Sequence, residues 1–262
     1  MDAVLATPLW ADIEKRTPTV FLCAGITGLR ETELDPKTSR RVNVTNTVAF
    51  LARCAEAGCP IILLSSSAVF SGKHMLPDET RTPDPASEYG RQKADAEAAL
   101  EGLGQAVDSE RLSIVRLTKV LPDGRGLVQS WIGELAQGRE VEAFDSVVFS
   151  PISLRYAIDG LIRIASVKAG GTFHLSGASD FSYWRFATML ADAMGADPGL
   201  VRAAHEGARA GVSSDRQPRF CSLGMEQTTR RTGIRGQSAA AVVADLLARG
   251  ISTSGGVQNE NG

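Results

Sequence analysis

The run Ile61–Ser66, IILLSS, is apolar at successive positions instead of at every second one, and it lies between Pro60 and a stretch rich in Ser, Pro and Asp. A strand of that kind is buried on both faces, the condition of a parallel sheet covered by helices. Two other short apolar runs share its character: TVFLCAG, closed by Gly25, and LSIVRL. Helical periods stand between them. Arg40–Ala57 carries Val44, Val48, Leu51, Ala52 and Ala55 on one stripe and ends at Gly58. A second helix runs through EYGRQKADAEAALEGLG, with Ser87 as its N-cap and Gly102 and Gly104 as stop signals. Strand, helix, strand, helix, strand is the order of a doubly wound α/β sheet.

On the N-terminal side, Leu5, Leu9 and Ile13 mark a short amphipathic helix that stops before Thr17–Pro18. Beyond the third strand, the pattern predicts a helix over Leu127–Gln137, an extended segment over Glu142–Ser150, a helix over Ser153–Val167 and a strand over Gly171–Leu175. Tyr183–Met194 is an amphipathic helix ended by Gly195 and an Asp197–Pro198 turn, and Ser238–Arg249 is an Ala- and Leu-rich one. From Leu200 to Pro218 the pattern is weak and polar, and residues 251–262 have the composition of a disordered tail. The expected organisation is one domain over 1–250, with a smaller mixed lobe mainly from 120–235. A chain of 262 residues can bury such a core without staples.

A net charge of −2, with basic residues clustered no further than Arg40–Arg41 and Arg230–Arg231, gives no electrostatic footprint for nucleic acid. Of the four cysteines, Cys23 and Cys54 lie in apolar or amphipathic runs and are expected as buried free thiols, and none of the four has zinc-ligand spacing. His74, His174 and His205 are scattered, so no metal site is expected. No apolar stretch approaches the roughly 20 residues of a membrane span, and the N-terminus MDAVLATPLWADIEKR lacks a signal-peptide pattern. No membrane association and a reducing, cytoplasmic setting are the expectations.

The chemistry concentrates after IILLSS. Phe70–Ala86 is a long Pro-, Asp- and Thr-rich loop, and Tyr89 then precedes Lys93 by four residues, on one helix face. A phenol near its ordinary pKa of about 10 trades protons poorly at neutral pH; a neighbouring ammonium would lower it and fit the pair for general acid–base work on a carbonyl or hydroxyl. A serine hydroxyl at the strand end could bind the same oxygen. By chance, three Tyr and six Lys in this chain give such a spacing about 0.07 times. The buried strand ending in serines is the added signal. The same serines lack the Gly-x-Ser-x-Gly elbow of a hydrolase, and Trp184 and Phe186 read as core.

LLSSSAVFSG, DETRTPDPASEYGRQKADAE and SIVRLTKVL together resemble the extended short-chain dehydrogenase/reductases, the NAD(P)-dependent enzymes of nucleotide-activated sugars, and within them the dTDP-4-dehydrorhamnose reductase-like branch. The resemblance continues through TVFLCAGIT and RRVNVTNTVAFLARCAEAGCPIILLSS before and GTFHLSGASDFSYWRFATMLADAMG after. It implies a Rossmann-like fold and reduction of a 4-keto sugar nucleotide by NAD(P)H. Tyr89 would be the proton donor or acceptor. Lys93 would lower its pKa and bind the nicotinamide ribose, and Ser66 would be the hydroxyl partner, ahead of Ser65 and Ser67. Ala24, Gly25 and Ile26 match the family's later cofactor turn, and Asn43 matches an Asn that either touches the cofactor or ties down a loop. Leu117 would face the nicotinamide, with Ser66, Ser67, Thr118 and Lys119 on the substrate side. Lys119 stands where that branch usually has an aromatic residue, so the resemblance leaves the sugar unnamed.

The family's glycine-rich pyrophosphate turn has no full counterpart. Gly25-x-x-Gly28 has Glu31 at the third glycine position, and the sequence that should form the next strand, TNTVAFLARC, is helical. The expectation is a sheet that is N-terminally incomplete, with TVFLCAG as an exposed edge that invites pairing with another chain, leaving self-association open. Weak NAD(P)H binding follows from the same reading. Two rivals to the reductase stay open: a non-catalytic sugar-nucleotide-binding or partner-binding protein, and a sugar-nucleotide epimerase or dehydratase.

Overall fold

The computed structural model describes residues 8–105, 108–204 and 217–250. Leu5, His205 and the tail 251–262 lie outside the described residues. In chain order the elements are α1 (Pro8–Arg16), β1 (Val20–Leu22), α2 (Leu29–Leu34), α3 (Pro36–Arg40), α4 (Thr47–Glu56), β2 (Ile61–Ser66), α5 (Glu88–Leu103) and β3 (Leu112–Leu117). There follow β4 (Lys119–Leu121), α6 (Leu127–Leu135), β5 (Val141–Phe144), β6 (Val148–Phe149), β7 (Pro151–Ser153), α7 (Leu154–Val167) and β8 (Gly171–Leu175). The last are β9 (Phe181–Ser182), α8 (Tyr183–Met194), β10 (Val201–Ala204), α9 (Glu226–Thr232) and α10 (Ala239–Gly250). A π-helical stretch, Arg41–Asn46, joins α3 to α4.

These elements form two compact units. One gathers the described residues up to Leu117 with Asp159–Leu175 and Leu223–Arg235; the other gathers Thr118–Ile158, the described residues of Ser176–Ser222, and those from Gly236 onward. The chain therefore returns to the first unit twice within the stretch expected as one lobe.

In the first unit a four-stranded sheet runs in the order β1-β2-β3-β8, every pair parallel. β2 and β3 are internal, and the apolar run that predicted burial on both faces has it: Ile61, Ile62 and Leu63 are at most 2% exposed. Trp10 of α1, Leu51 and Cys54 of α4, and Ala96 and Leu100 of α5 close over Ile61, Leu63, Leu112 and Ile114. Each such fully buried large side chain contributes about 1.5–3 kcal/mol. β1 stands at the sheet edge with Phe21 39% exposed. It ends at Leu22, so Cys23 begins the following turn and is exposed, contrary to its expected burial; Cys54 and Cys59 are buried free thiols.

The second unit holds three two-stranded sheets: β4 with β7 and β5 with β10, both parallel, and β6 with β9, antiparallel. Its core joins Trp131 of α6, Phe149 of β6, Phe186 and Leu190 of α8, and Val242 and Leu246 of α10. Phe186 is core as expected, whereas Trp184 is 38% exposed.

Candidate active site

The site is built where β2 ends and α5 begins. Ser66 closes β2, and its hydroxyl accepts a hydrogen bond from the Ala68 N–H at 3.2 Å, capping a single 3₁₀ turn over Ser67–Val69. Ser87 caps α5, its hydroxyl accepting from the Gly90 N–H at 3.1 Å. The two caps lie against each other because residue 90 is glycine: a Cβ there would stand 2.0 Å from the Ala68 carbonyl oxygen and 3.0 Å from Pro85 Cβ. That close approach sets Tyr89, 9% exposed, beside Ser66. One turn on, Lys93 is 8% exposed and its Nζ donates to the Leu64 carbonyl of β2 at 2.9 Å.

Burial dominates the electrostatics of both groups. It pushes the Tyr89 phenol up, opposed by the Ser66 hydroxyl. It pushes the Lys93 amine down, opposed by the Glu97 carboxylate and, less, by the Cys23 thiol. The net shift of Tyr89 is therefore upward, because burial outweighs the lowering expected from its lysine neighbour. The ammonium is held on the Leu64 carbonyl, and the low-polarity surroundings favour the neutral phenol. At neutral pH Tyr89 is therefore a neutral phenol.

Across from the pair lies the turn after β1. Asn43, in the π-helical stretch and 3% exposed, accepts from the Ile26 N–H at 2.8 Å and donates to the Ile26 carbonyl at 2.9 Å. Its second N–H goes to Gln92 Oε1 of α5 at 2.8 Å, and Gln92 in turn donates to Ser39 and Glu88. Both amide donors are thus used within the chain, tying the turn to the π-helical stretch and to α5. π-Turns of this kind widen a helix locally and recur at functional sites. Ala24 and Gly25 are exposed on the secured turn, and a Cβ on Gly25 would lie 4.0 Å from Lys93 Nζ. At Gly28 the surroundings differ. The Glu31 carboxylate stands 3.2 Å from where its Cβ would be, at the start of the six-residue α2.

Leu117 ends β3 opposite Ser66 in the sheet register. Thr118 and Lys119 belong to the second unit, where the Thr118 hydroxyl accepts from the Gly177 N–H at 3.3 Å and Lys119 is exposed at the start of β4. Ser65 points to the opposite face of β2 from Ser66, 5% exposed and with its hydroxyl unpartnered; Ser67 is half-buried in the 3₁₀ turn. His174 is wholly buried and His74 exposed. Among the described residues no cluster of three His, Cys, Asp or Glu side chains could hold a metal ion. Sequence reasoning passed over Gly90, Gln92 and Glu97. The signal for Gly90 was available: glycine in the first turn of a helix carries a propensity cost that a close backbone approach explains.

Residues 6–251 match the RmlD substrate binding domain. The chain belongs to that family. Among curated relatives of this RmlD-type chain, the probable low-salt glycan biosynthesis reductase Agl14 of Haloferax volcanii is 27% identical over 70% of this chain and 61% of its own. The dTDP-4-keto-6-deoxy-D-glucose reductase of Streptomyces niveus is 28% identical over 82% of this chain and 73% of its own. The RmlD-type chain thus spans about three fifths to three quarters of these relatives. Among solved structures, dTDP-4-dehydrorhamnose reductase from Bacillus anthracis in complex with NADP superposes with a TM-score of 0.77 at 18% identity, covering 91% of this chain and 82% of that one. That likeness establishes the Rossmann-like α/β fold. No described helix is long and apolar enough to cross a membrane.

Proposed function

We propose that this chain is an NAD(P)H-dependent reductase of a nucleotide-activated 4-keto sugar. The observation that carries the reading is the convergence of the Tyr89 phenol, the Ser66 hydroxyl and the Lys93 amine at the ends of β2 and α5. Membership in the RmlD family and reductase names among its relatives support it. Tyr89 Oη gives its proton to the former carbonyl oxygen as negative charge develops there, and Ser66 Oγ–H donates to the same oxygen. Burial keeps the phenol in its protonated, donor form at neutral pH. Lys93, one turn away, stabilises the phenolate left behind.

A nicotinamide cofactor fits the Gly25 side of this site. Ala24 and Gly25 are exposed on that turn, where Asn43 Oδ1 and the Lys93 amine that spends one donor on Leu64 lie 3.1 and 4.0 Å from a Cβ placed on Gly25. Ala24, Gly25, Ile26, Leu117 and Lys93 would hold the ribose and nicotinamide, with Asn43 fixing the turn. When bound, the reduced cofactor supplies the hydride for the sugar's carbonyl carbon. Gly25-x-x-Gly28 does not fit the pyrophosphate, because Glu31 places a carboxylate at the only helix start there. Cofactor affinity is therefore weak in this chain. Ser66 and Ser67 are the residues of the first unit proposed toward the sugar nucleotide.

The test is consumption of NADPH at millimolar concentration in the presence of dTDP-4-keto-6-deoxy-D-glucose. Wild-type chain is expected to oxidise the cofactor only when the keto sugar is present, and Tyr89→Phe to lose about 100- to 1,000-fold in rate. The Glu31 carboxylate favours one second reading, a non-catalytic sugar-nucleotide-binding protein. Binding of the sugar nucleotide without any NADPH oxidation would decide for it. A product with an inverted or dehydrated sugar and no net oxidation would decide for an epimerase or dehydratase.

A further inference from the structure

Helix α5 repeats its Tyr89–Lys93 spacing once more. Glu97 lies four residues beyond Lys93, so the three side chains share one stripe of the helix. Glu97 is 2% exposed, and its carboxylate is gripped by Arg116 of β3: Nε donates to the two oxygens at 3.1 and 3.2 Å, and Nη2 donates at 2.8 Å. Arg116 is held in turn. Its guanidinium lies 5.0 Å over the Phe70 ring, and Nη1 stands 3.5 Å from His174 Nε2. His174 Nδ1 is 2.7 Å from the Gly224 carbonyl, which makes Nδ1 the protonated nitrogen and leaves Nε2 to accept from the arginine. Two well-packed apolar side chains would join α5 to β3 at least as stably as this buried ion pair. The charge of Glu97 therefore has a use beyond joining the two elements, and the group it faces along the stripe is Lys93.

We propose that Glu97, locked in place by Arg116, is the positioning residue for Lys93, keeping it an ammonium in its buried seat on the Leu64 carbonyl with its remaining N–H donors free for the Gly25 side. The inference rests on the reading of Tyr89 and Lys93 as the proton-transfer pair. The groups that face Lys93 are few. α5 itself brings Tyr89 and Glu97, β2 brings the Leu64 carbonyl, the turn after β1 brings Cys23, and the π-helical stretch brings the neutral Asn43. β3 brings Arg116, its guanidinium committed to Glu97. Of these, the Glu97 carboxylate is the main influence that favours the charged amine against burial.

The test is an NMR titration of the lysine Cε and Nζ signals, with Lys93, one of six lysines, assigned through Lys93→Arg. In Glu97→Gln the midpoint of Lys93 is expected to fall, with roughly ten times as much neutral amine at a given pH below it. Because that variant leaves Arg116 buried without its carboxylate, Glu97→Met combined with Arg116→Met serves as the folded control. Its midpoint should lie between wild type and Glu97→Gln, and Glu97→Asp should restore most of the wild-type value. An unchanged Lys93 midpoint in both Glu97→Gln and the double variant would overturn the proposal, whatever happens to the melting temperature, since a purely structural pair would move only the latter. The titration needs no substrate. A shifted midpoint in a chain that reduces no keto sugar would sink the reductase reading and leave the coupling standing.

Discussion

His174 is a residue whose surroundings settle its protonation state. It is fully buried behind Arg116, with Nδ1 on the Gly224 carbonyl, and burial, aided by the nearby guanidinium, pushes its imidazole down to about 4 from an ordinary 6.5. Between those values the unfolded chain binds a proton that the folded chain does not. The stability this histidine contributes is therefore full above pH 6.5 and is lost as the pH falls toward 4. Urea unfolding at pH 7 and pH 5 should show a loss of about 2 kcal/mol in wild type from this group, and His174→Gln should lack that part of the difference. The sequence could not show the role of His174, because its partners Gly224 and Arg116 are 50 and 58 residues distant. The placement of Ser66 at the end of β2 and of Tyr89 and Lys93 at the start of α5 was legible because strand end, cap and helix spacing are local signals. The direction of the Tyr89 shift was not, since it depends on how deeply the phenol is buried.

At the scale of elements, α5 was readable from Ser87 to Gly104, and β2, β3 and β8 to the residue, because apolar runs and caps are written in the chain itself. β10 was missed: Val201–Ala204 has little pattern of its own and is a strand because it pairs in parallel with β5. β1 came out shorter than the apolar run TVFLCAG, three residues long and at the sheet edge, so Cys23 fell in the exposed turn. The contact that seats α5 on the end of β2 gives a sharp prediction. Gly90→Ala forces a Cβ to within 2.0 Å of the Ala68 carbonyl, so the first turn of the helix must move and carry Tyr89 with it. Thermal unfolding should report a loss of roughly 1–3 kcal/mol, and keto-sugar-dependent NADPH oxidation a fall of about a hundredfold. Retained activity with lowered stability would separate the packing of α5 from the placement of Tyr89.

For the molecule as a whole, the expectation of one domain with a lobe over 120–235 meets two compact units between which the chain passes repeatedly, something no local pattern announces. The first unit carries Ser66, Tyr89, Lys93 and the Ala24–Ile26 turn, while Gly28 is shadowed by Glu31. Titration of the chain with NADPH, followed by cofactor fluorescence, should therefore give a dissociation constant weaker than about 100 μM; micromolar affinity would contradict the weak pyrophosphate site. The central claim is that this chain directs hydride to the carbonyl carbon of a 4-keto sugar nucleotide while Tyr89 supplies the proton. The most direct measurement uses millimolar NADPH deuterated on the transferred position of its nicotinamide, with dTDP-4-keto-6-deoxy-D-glucose as acceptor and NMR of the recovered sugar. Deuterium at C4 of the product with wild-type chain, and about 100- to 1,000-fold less over the same early interval with Tyr89→Phe, is the predicted result. Recovery of the keto sugar unchanged, or equal labelling with both proteins, would contradict it.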